Sequence, residues 1–345
     1  MVTITPERLR EAILAVLTGL GEAADAAEVV AESLVRAEMR GTDTHGLPYL
    51  KLLAERVEAH MVSLPTRVSV LKDDGATVLL DGGNGIGQVA GWRGMETSLR
   101  KARELGIGLT LIRNTNNLGF FAFYTMEAGR QGCAGIAMGN ANAAISPWGG
   151  AEAFFGTNPI SIGVPGNGEP LALDMSSSLV ARGKIRKAAR LGERIPPGWA
   201  LDESGAPTED PGAALKGTLL PIGGPKGYGL ALMVDVLAGM LSGAAFGQTI
   251  KSFHELAGPT GVGALMLAVD VERFMPLDQF RGLMKGYVEA IRCSRRATGT
   301  TRIYLPGEIE AEKEQASRER GIDLKPASIE MVNQLLERLR SPVRL

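Results

Sequence analysis

Proton transfer near neutral pH falls to histidine more often than to any other side chain, and this chain of 345 residues has three: His45, His60 and His254. His60 stands beside Met61 at an expected helix end, and His254 lies in Phe253-His254-Glu255-Leu256; packing or a loop hydrogen bond accounts for each. His45 is different. It follows a glycine-stopped helix within Asp43-Thr44-His45-Gly46, so a loop imidazole has a hydroxyl beside it and a carboxylate two residues away, a setting that orients a general acid or base. The three are too dispersed to ligate a metal, and no Gly-x-Ser-x-Gly elbow supports a serine hydrolase. A second group of residues lies between Pro147 and Gly243: Pro147-Trp148-Gly149-Gly150, Gly156-Thr157-Asn158-Pro159, Leu173-Asp174-Met175-Ser176, Ala181-Arg182-Gly183-Lys184 and Gly223-Gly224-Pro225-Lys226-Gly227. Glycine beside a small hydroxyl, an amide or a lysine lets bare backbone N–H groups and a few cations approach a polyanion, which is the chemistry of a nucleotide cofactor site. Lys226 at a helix start can meet phosphate through its charge and the first-turn amides.

The elements that must position these residues follow from periodicity. Thr5-Pro6 reads as a cap and first turn, with Leu9, Ile13, Val16 and Leu17 at helical spacing; a second helix runs over about 23–40, stopped by Gly41, and a third starts near Pro48. Two strand-like runs around an Asp74-Gly75 turn make a hairpin. Helix (89–105), strand (109–112), helix (120–130) and strand (134–138) alternate, then strands at 160–164 and 171–174 and a helix over 179–190. Residues 195–221, rich in Pro, Gly and Asp, read as a long ordered loop. Further on come a buried helix opened by Lys226, a strand at 265–269, an amphipathic helix at 277–293, a short strand at 303–305 and a terminal helix at 329–339. The class is mixed α/β.

Composition narrows the function. With 45% hydrophobic and 22% charged residues, a net charge of −1 and scattered Lys and Arg, the chain is neither a nucleic-acid binder nor a polybasic membrane protein. Cys133 and Cys293 have no Cys-x-x-Cys spacing, and the N-terminus lacks a basic-then-apolar leader, so a reducing cytoplasm is expected. The apolar run from Gly227 to Phe246 carries Asp235 at its centre and is expected to be a core helix. Gly85-Ile86-Gly87-Gln88-Val89-Ala90 fits a relaxed dinucleotide fingerprint, but its preceding strand ends a hairpin and the next strand ends in Arg113-Asn114, with no acid for a ribose.

Together and in order, the motifs quoted above, with Gly198-Trp199-Ala200-Leu201-Asp202, Gly224-Pro225-Lys226-Gly227-Tyr228-Gly229 and Pro306-Gly307-Glu308, resemble the malate/L-lactate dehydrogenase family of NAD(P)-dependent oxidoreductases. That family also includes sulfolactate and ureidoglycolate dehydrogenases, diketogulonate reductase and piperideine-carboxylate reductase. The resemblance implies a non-Rossmann fold, with a central NAD(P)-binding domain (76–269) and a discontinuous helical domain for substrate and dimerisation (1–75 with 270–345). It implies a homodimer and NAD or NADP as cofactor, and reduces Gly85–Ala90 to a helix start. It assigns proton transfer to His45, substrate contact to Thr44, and cofactor contact to Asp174, Met175, Ser176, Lys226, Gly227, Pro306, Gly307 and Glu308, with Thr157, Asn158, Arg182 and Lys184 as further candidates. Two positions depart from the family. Asn117, in Asn114-Thr115-Asn116-Asn117-Leu118-Gly119, replaces a histidine that carries the acid/base role in some members, and Tyr49 replaces an arginine suited to a substrate carboxylate. The expected reaction is hydride transfer between nicotinamide and a small 2-hydroxy acid or 2-oxo acid; reduction of a cyclic imino acid is the alternative, and a cofactor-binding relative without catalysis a third reading.

Overall fold

The computed structural model describes residues 1–345, the side chain of Asp43 excepted. A short strand β1 (Val2–Ile4) leads into helix α1 (Pro6–Gly19), where Thr5 accepts a hydrogen bond from the Arg8 amide and Pro6 opens the first turn. Helices α2 (Ala24–Met39) and α3 (Leu47–Glu58) follow, joined by a 3-10 turn over Asp43–His45. Next come the hairpin β2 (Ser69–Asp74) and β3 (Thr77–Asp81), α4 (Gly87–Leu105), β4 (Ile107–Thr115), α5 (Ala122–Arg130), β5 (Cys133–Gly139), β6 (Ile160–Val164) and β7 (Leu171–Met175). The chain continues through α6 (Arg182–Leu191), β8 (Ala200–Leu201), β9 (Pro207–Thr208), α7 (Pro211–Lys216), β10 (Thr218–Leu219) and α8 (Pro225–Val234). It ends with β11 (Val262–Asp270), α9 (Leu277–Cys293), α10 (Glu308–Arg320), β12 (Ile322–Leu324) and α11 (Pro326–Arg338).

Seven strands form the main sheet in the order β2-β3-β4-β11-β5-β6-β7. Only β3 and β4 pair in parallel; β11 inserts between β4 and β5 and runs antiparallel to both. A sheet of this kind is not doubly wound, and the fold is mixed α/β without a Rossmann domain. Alternation along the strands gives the sheet two apolar faces. Ile112, Ala137, Ala264 and Met266 face α4 and α5, in a core with Met95, Phe123 and Tyr124; Leu109, Leu111, Leu265 and Leu267 face Val234 at the end of α8 and Ala238 in the turn that follows it. A separate core joins α1, α2 and α3 with β12 and α11, so the two ends of the chain share one interior.

Several expectations are revised. Residues 195–221 are not one loop: β8, β9 and β10 form a small sheet beside α7, packed on α6 through Ile185, Ile195, Ala200 and Leu219. The run after Lys226 is not wholly buried. It changes to a π-helix over Asp235–Met240, and Met233, Met240 and Leu241 stay about half exposed. No strand forms at 303–305, because the Leu305 amide bonds to the Glu308 carboxylate rather than to a partner strand. The Gly85–Ala90 motif is a packing device: a Cβ on Gly87 would lie 2.2 Å from the Asn117 carbonyl oxygen, so glycine lets α4 seat against that loop.

Candidate active site

The sheet itself decides where the candidate residues meet. The registers set β3, β4, β5 and β7 running one way and β6 and β11 the other, so Thr115, Gly139 and Met175 end their strands at the rim where Ile160 and Val262 begin theirs. Asn117, Thr157, Asn158, Asp174, Met175 and Ser176 therefore lie on one rim, supplied by three separate loops.

Asn117 is half-buried, and its Oδ1 accepts from the Gly119 amide at 2.9 Å. That bond fixes the orientation of the amide and leaves Nδ2, a donor, for a ligand. Tyr49 reaches the same loop from α3. It is 3% exposed, its ring stacks on Phe253 with centroids 5.1 Å apart, and its hydroxyl donates to Gln88 Oε1 at 2.9 Å and reaches the Asn117 carbonyl at 3.3 Å. Burial pushes its pKa up. Tyr49 thus braces the loop of Asn117.

His45 lies one helical turn before Tyr49 in a half-buried position, with Nδ1 3.0 Å from Thr44 Oγ1. Desolvation pushes its pKa down to about 4, so the imidazole is neutral at pH 7. If Nδ1 carries the proton and donates it to Thr44, Nε2 presents a lone pair. The loop is held from behind, since the Leu47 amide donates to Glu38 Oε1 at 2.6 Å. From the other side comes α6: a Cβ on Gly183 would stand 2.8 Å from Thr44 Cγ2, so glycine lets the first turn of α6 touch the loop. Arg182 donates to the Leu215 carbonyl at 2.6 Å, and Lys184 is exposed.

Asp174, at the end of β7, accepts from the Ala122 amide at 2.7 Å at the start of α5. The residue is open to the surface, yet neighbours crowd the carboxylate; desolvation raises its pKa to about 6 against the opposing amide bonds and the Arg40 charge. Ser176 Oγ lies 3.0 Å from Ser178 Oγ, and Ser177 bonds the Thr157 carbonyl through both amide and hydroxyl. Asn158 is fully buried, bridging the Ala141 amide and the Ala231 carbonyl of α8, so its role is architectural. Lys226 is exposed in the first turn of α8; a Cβ on Gly227 would strike Ile222 O at 2.2 Å, which ties the Lys226 turn closely to the preceding loop. Pro306-Gly307 lies against β7, with the Gly307 Cβ position 2.6 Å from the Ala172 carbonyl oxygen. The Glu308 carboxylate already binds Arg292 and Arg302 and the Leu305 amide; these contacts outweigh desolvation and hold its pKa low.

The residues fit a dinucleotide. An exposed lysine and helix-start amides suit a pyrophosphate, and a carboxylate on the strand rim suits ribose hydroxyls. Arg56 belongs to none of the motifs above, and Gln88 stands in Gly85–Ala90 without a role of its own. Arg56, 1% exposed, binds the Glu255 and Gly258 carbonyls at 2.7 Å and stands over the Phe253 ring, fixing the 252–258 loop. A cation on the apolar face of α3, among Leu50, Leu53 and Ala54, is the signal that could have revealed it.

Residues 4–333 match the family profile described as malate/L-lactate dehydrogenase. A malate dehydrogenase of Pyrococcus abyssi is 34% identical over 346 residues, covering 98% of this chain and 95% of that protein. A (2R)-3-sulfolactate dehydrogenase (NADP(+)) of Chromohalobacter salexigens is 36% identical, covering 96% of each. Among solved structures, malate dehydrogenase from Entamoeba histolytica superposes with a TM-score of 0.95 at 30% identity, covering 100% of this chain and 99% of that one.

Proposed function

The chain belongs to the malate/L-lactate dehydrogenase family and is an NAD(P)-dependent oxidoreductase acting on a CH–OH donor, and we propose that His45 is its acid/base in the interconversion of a small 2-hydroxy acid and its 2-oxo acid. The observation that carries this reading is the neutral imidazole of His45 paired with Thr44 on the loop that α6 meets. Bound nicotinamide would take up or deliver the hydride. In oxidation His45 Nε2 accepts the substrate hydroxyl proton while Nδ1–H is held by Thr44; in reduction the same nitrogen returns it. An anionic substrate beside the ring raises the His45 pKa, which favours the imidazolium needed for that return. Asn117 Nδ2 donates to the substrate oxygen and keeps it aligned with the imidazole.

Cofactor contact falls to Asp174, Met175, Ser176, Lys226 and Gly227, with Pro306-Gly307 closing on β7; the cofactor is NAD or NADP. The boundary of the cofactor domain at 76–269, against 1–75 with 270–345, is supported by the core that α11 shares with α1, α2 and α3. The amphipathic helix α9 has no buried residue in the single chain and exposes Leu283 and Tyr287, which supports a homodimer. Two free cysteines suit a cytoplasmic setting, and among the described residues no helix is long and apolar enough to cross a membrane.

The test follows nicotinamide absorbance with NADH or NADPH and a panel of 2-oxo acids and cyclic imino acids. Turnover with a 2-oxo acid is expected, and His45→Gln is expected to lower kcat by about a hundredfold or more with cofactor binding retained. Undiminished turnover in that variant removes His45 from the mechanism, and oxidation with an imino acid alone replaces the hydroxy acid as substrate.

A further inference from the structure

Trp148 is 59% exposed, an uncommon position for the largest aromatic side chain. A tight turn sets its posture. The Gly150 amide bonds the Pro147 carbonyl at 2.8 Å and Gly149 takes a φ of +85°, so Trp148 stands at the corner of the turn. The ring does not hang free. A Cβ on Gly224 would lie 3.0 Å from Trp148 Cζ3 and 3.1 Å from Cη2, so glycine at the N-cap of α8 lets the six-membered edge of the indole pack there.

Beside the indole lies a cleft of about 400 Å³, whose lining includes Ser146, Leu201, Leu220 and Pro221. That volume is within the range of small-molecule sites. One wall is tied to the strand rim: the Ile222 amide donates to the Ser177 carbonyl at 2.9 Å and Pro221 bridges to Ser178, and these two serines directly follow Ser176. None of the lining residues is charged, so the cleft suits neither the acid group of a substrate nor a phosphate. Ser146 is 1% exposed, and its hydroxyl has no hydrogen-bond partner among the described residues. A buried polar group of this kind calls for a ligand that can bond it. The exposed aromatic face is a stacking platform for a planar heterocycle.

A neutral nucleobase meets all of these conditions. Nicotinamide must reach His45, and neither the Thr44–His45 loop nor the Asn117 loop lines the cleft, which leaves the other base of the cofactor. In a dinucleotide one ribose separates each base from the pyrophosphate, so an adenine site must adjoin the phosphate site. The contact of the indole with Gly224, two residues before Lys226, meets that requirement. We propose that Trp148 and Ser146 bind the adenine of the cofactor, the base stacking on the indole while its edge bonds the Ser146 hydroxyl. The inference rests on the reading of the Lys226 turn as the pyrophosphate contact.

The experiment titrates the full-length protein with ADP, which carries adenine and a pyrophosphate but no nicotinamide, and with inorganic pyrophosphate, by calorimetry and by tryptophan fluorescence. ADP is expected to bind and to quench indole emission. Trp148→Ala is expected to lower ADP affinity about tenfold or more, the loss typical of one base–aromatic stack, and to leave pyrophosphate affinity unchanged. Ser146→Ala should weaken ADP about threefold or more. Trp148→Phe keeps a ring and should retain most of the affinity, while the quenching disappears because emission then comes from Trp92 and Trp199 alone. Absence of ADP binding, unchanged affinity in either alanine variant, quenching that survives in Trp148→Phe, or equal loss of ADP and pyrophosphate overturns the proposal. If Trp148→Ala weakens ADP as expected while Lys226→Gln leaves it untouched, the adenine site stands and the pyrophosphate reading fails.

Discussion

Replacing Tyr49 by Phe removes one oxygen and leaves the ring stacked on Phe253. The lost hydroxyl served Gln88 Oε1 and the Asn117 carbonyl. Gln88 is fully buried, and its Nε2 has no partner among the described residues, so the substitution leaves the whole amide without one. An orphaned buried acceptor costs about 1 to 3 kcal/mol. With an unfolding entropy of about 2.1 cal/mol/K per residue, a chain of this length loses roughly 1 to 4 °C in Tm. Thermal melts would be run alongside steady-state kinetics. KM for the 2-oxo acid should stay within about twofold, because the hydroxyl faces Gln88, while kcat falls as the Asn117 loop loosens. A Tm equal to the parent's, together with a KM raised tenfold or more, would refute the reasoning and return Tyr49 to the substrate.

Gly227→Ala puts a Cβ within 2.7 Å of both the oxygen and the nitrogen of Ile222 and must move the Lys226 turn; fluorescence titration should find cofactor affinity reduced about tenfold or more, and parental affinity would contradict this cradle. Asp174, raised to about 6, keeps its proton more tightly folded than unfolded, so its contribution to stability is present at acid pH and lost as pH rises through 6. If its ionised form receives the ribose, cofactor affinity climbs between about pH 5 and pH 7, and Asp174→Asn flattens that climb. For His45 the sign is opposite: with a folded pKa of about 4, the unfolded chain binds the extra proton first, and stability falls as pH drops from about 6.5 to about 4. Urea melts of His45→Gln across that range should lose this component; an identical pH dependence would mean the ring is not desolvated.

Strong periodicity made much of the fold legible. The apolar positions of α1 and α2 and the strands at 160–164 and 171–175 could be read because each buries one face, and the hairpin could be read from its Asp74-Gly75 turn although β2 is exposed throughout. Helix α10 could not. Its one buried residue is Glu314, whose carboxylate binds Arg40 and Arg318, so the inward face is ionic and leaves no hydrophobic period. The strands β8, β9 and β10 are two residues each, too short for alternation to register. At the candidate site, His45 and the glycine loops were visible because their chemistry is local. Arg56 on Phe253 and Tyr49 on Gln88 join segments distant in sequence, and no spacing rule encodes such pairs.

The place of β11 ties the birth of this protein to its far end. Until residue 270 of 345 has been synthesised, β4 and β5 lack the strand that joins them, and two bare edges stand in the middle of the sheet, where no charged rim guards them. A chain halted or cleaved before Val262 is thus left as two incomplete half-sheets, each able to recruit β-structure from a neighbour. Completion of the enzyme is close to all-or-none along its length, and its fragments are the natural clients of chaperones and proteases.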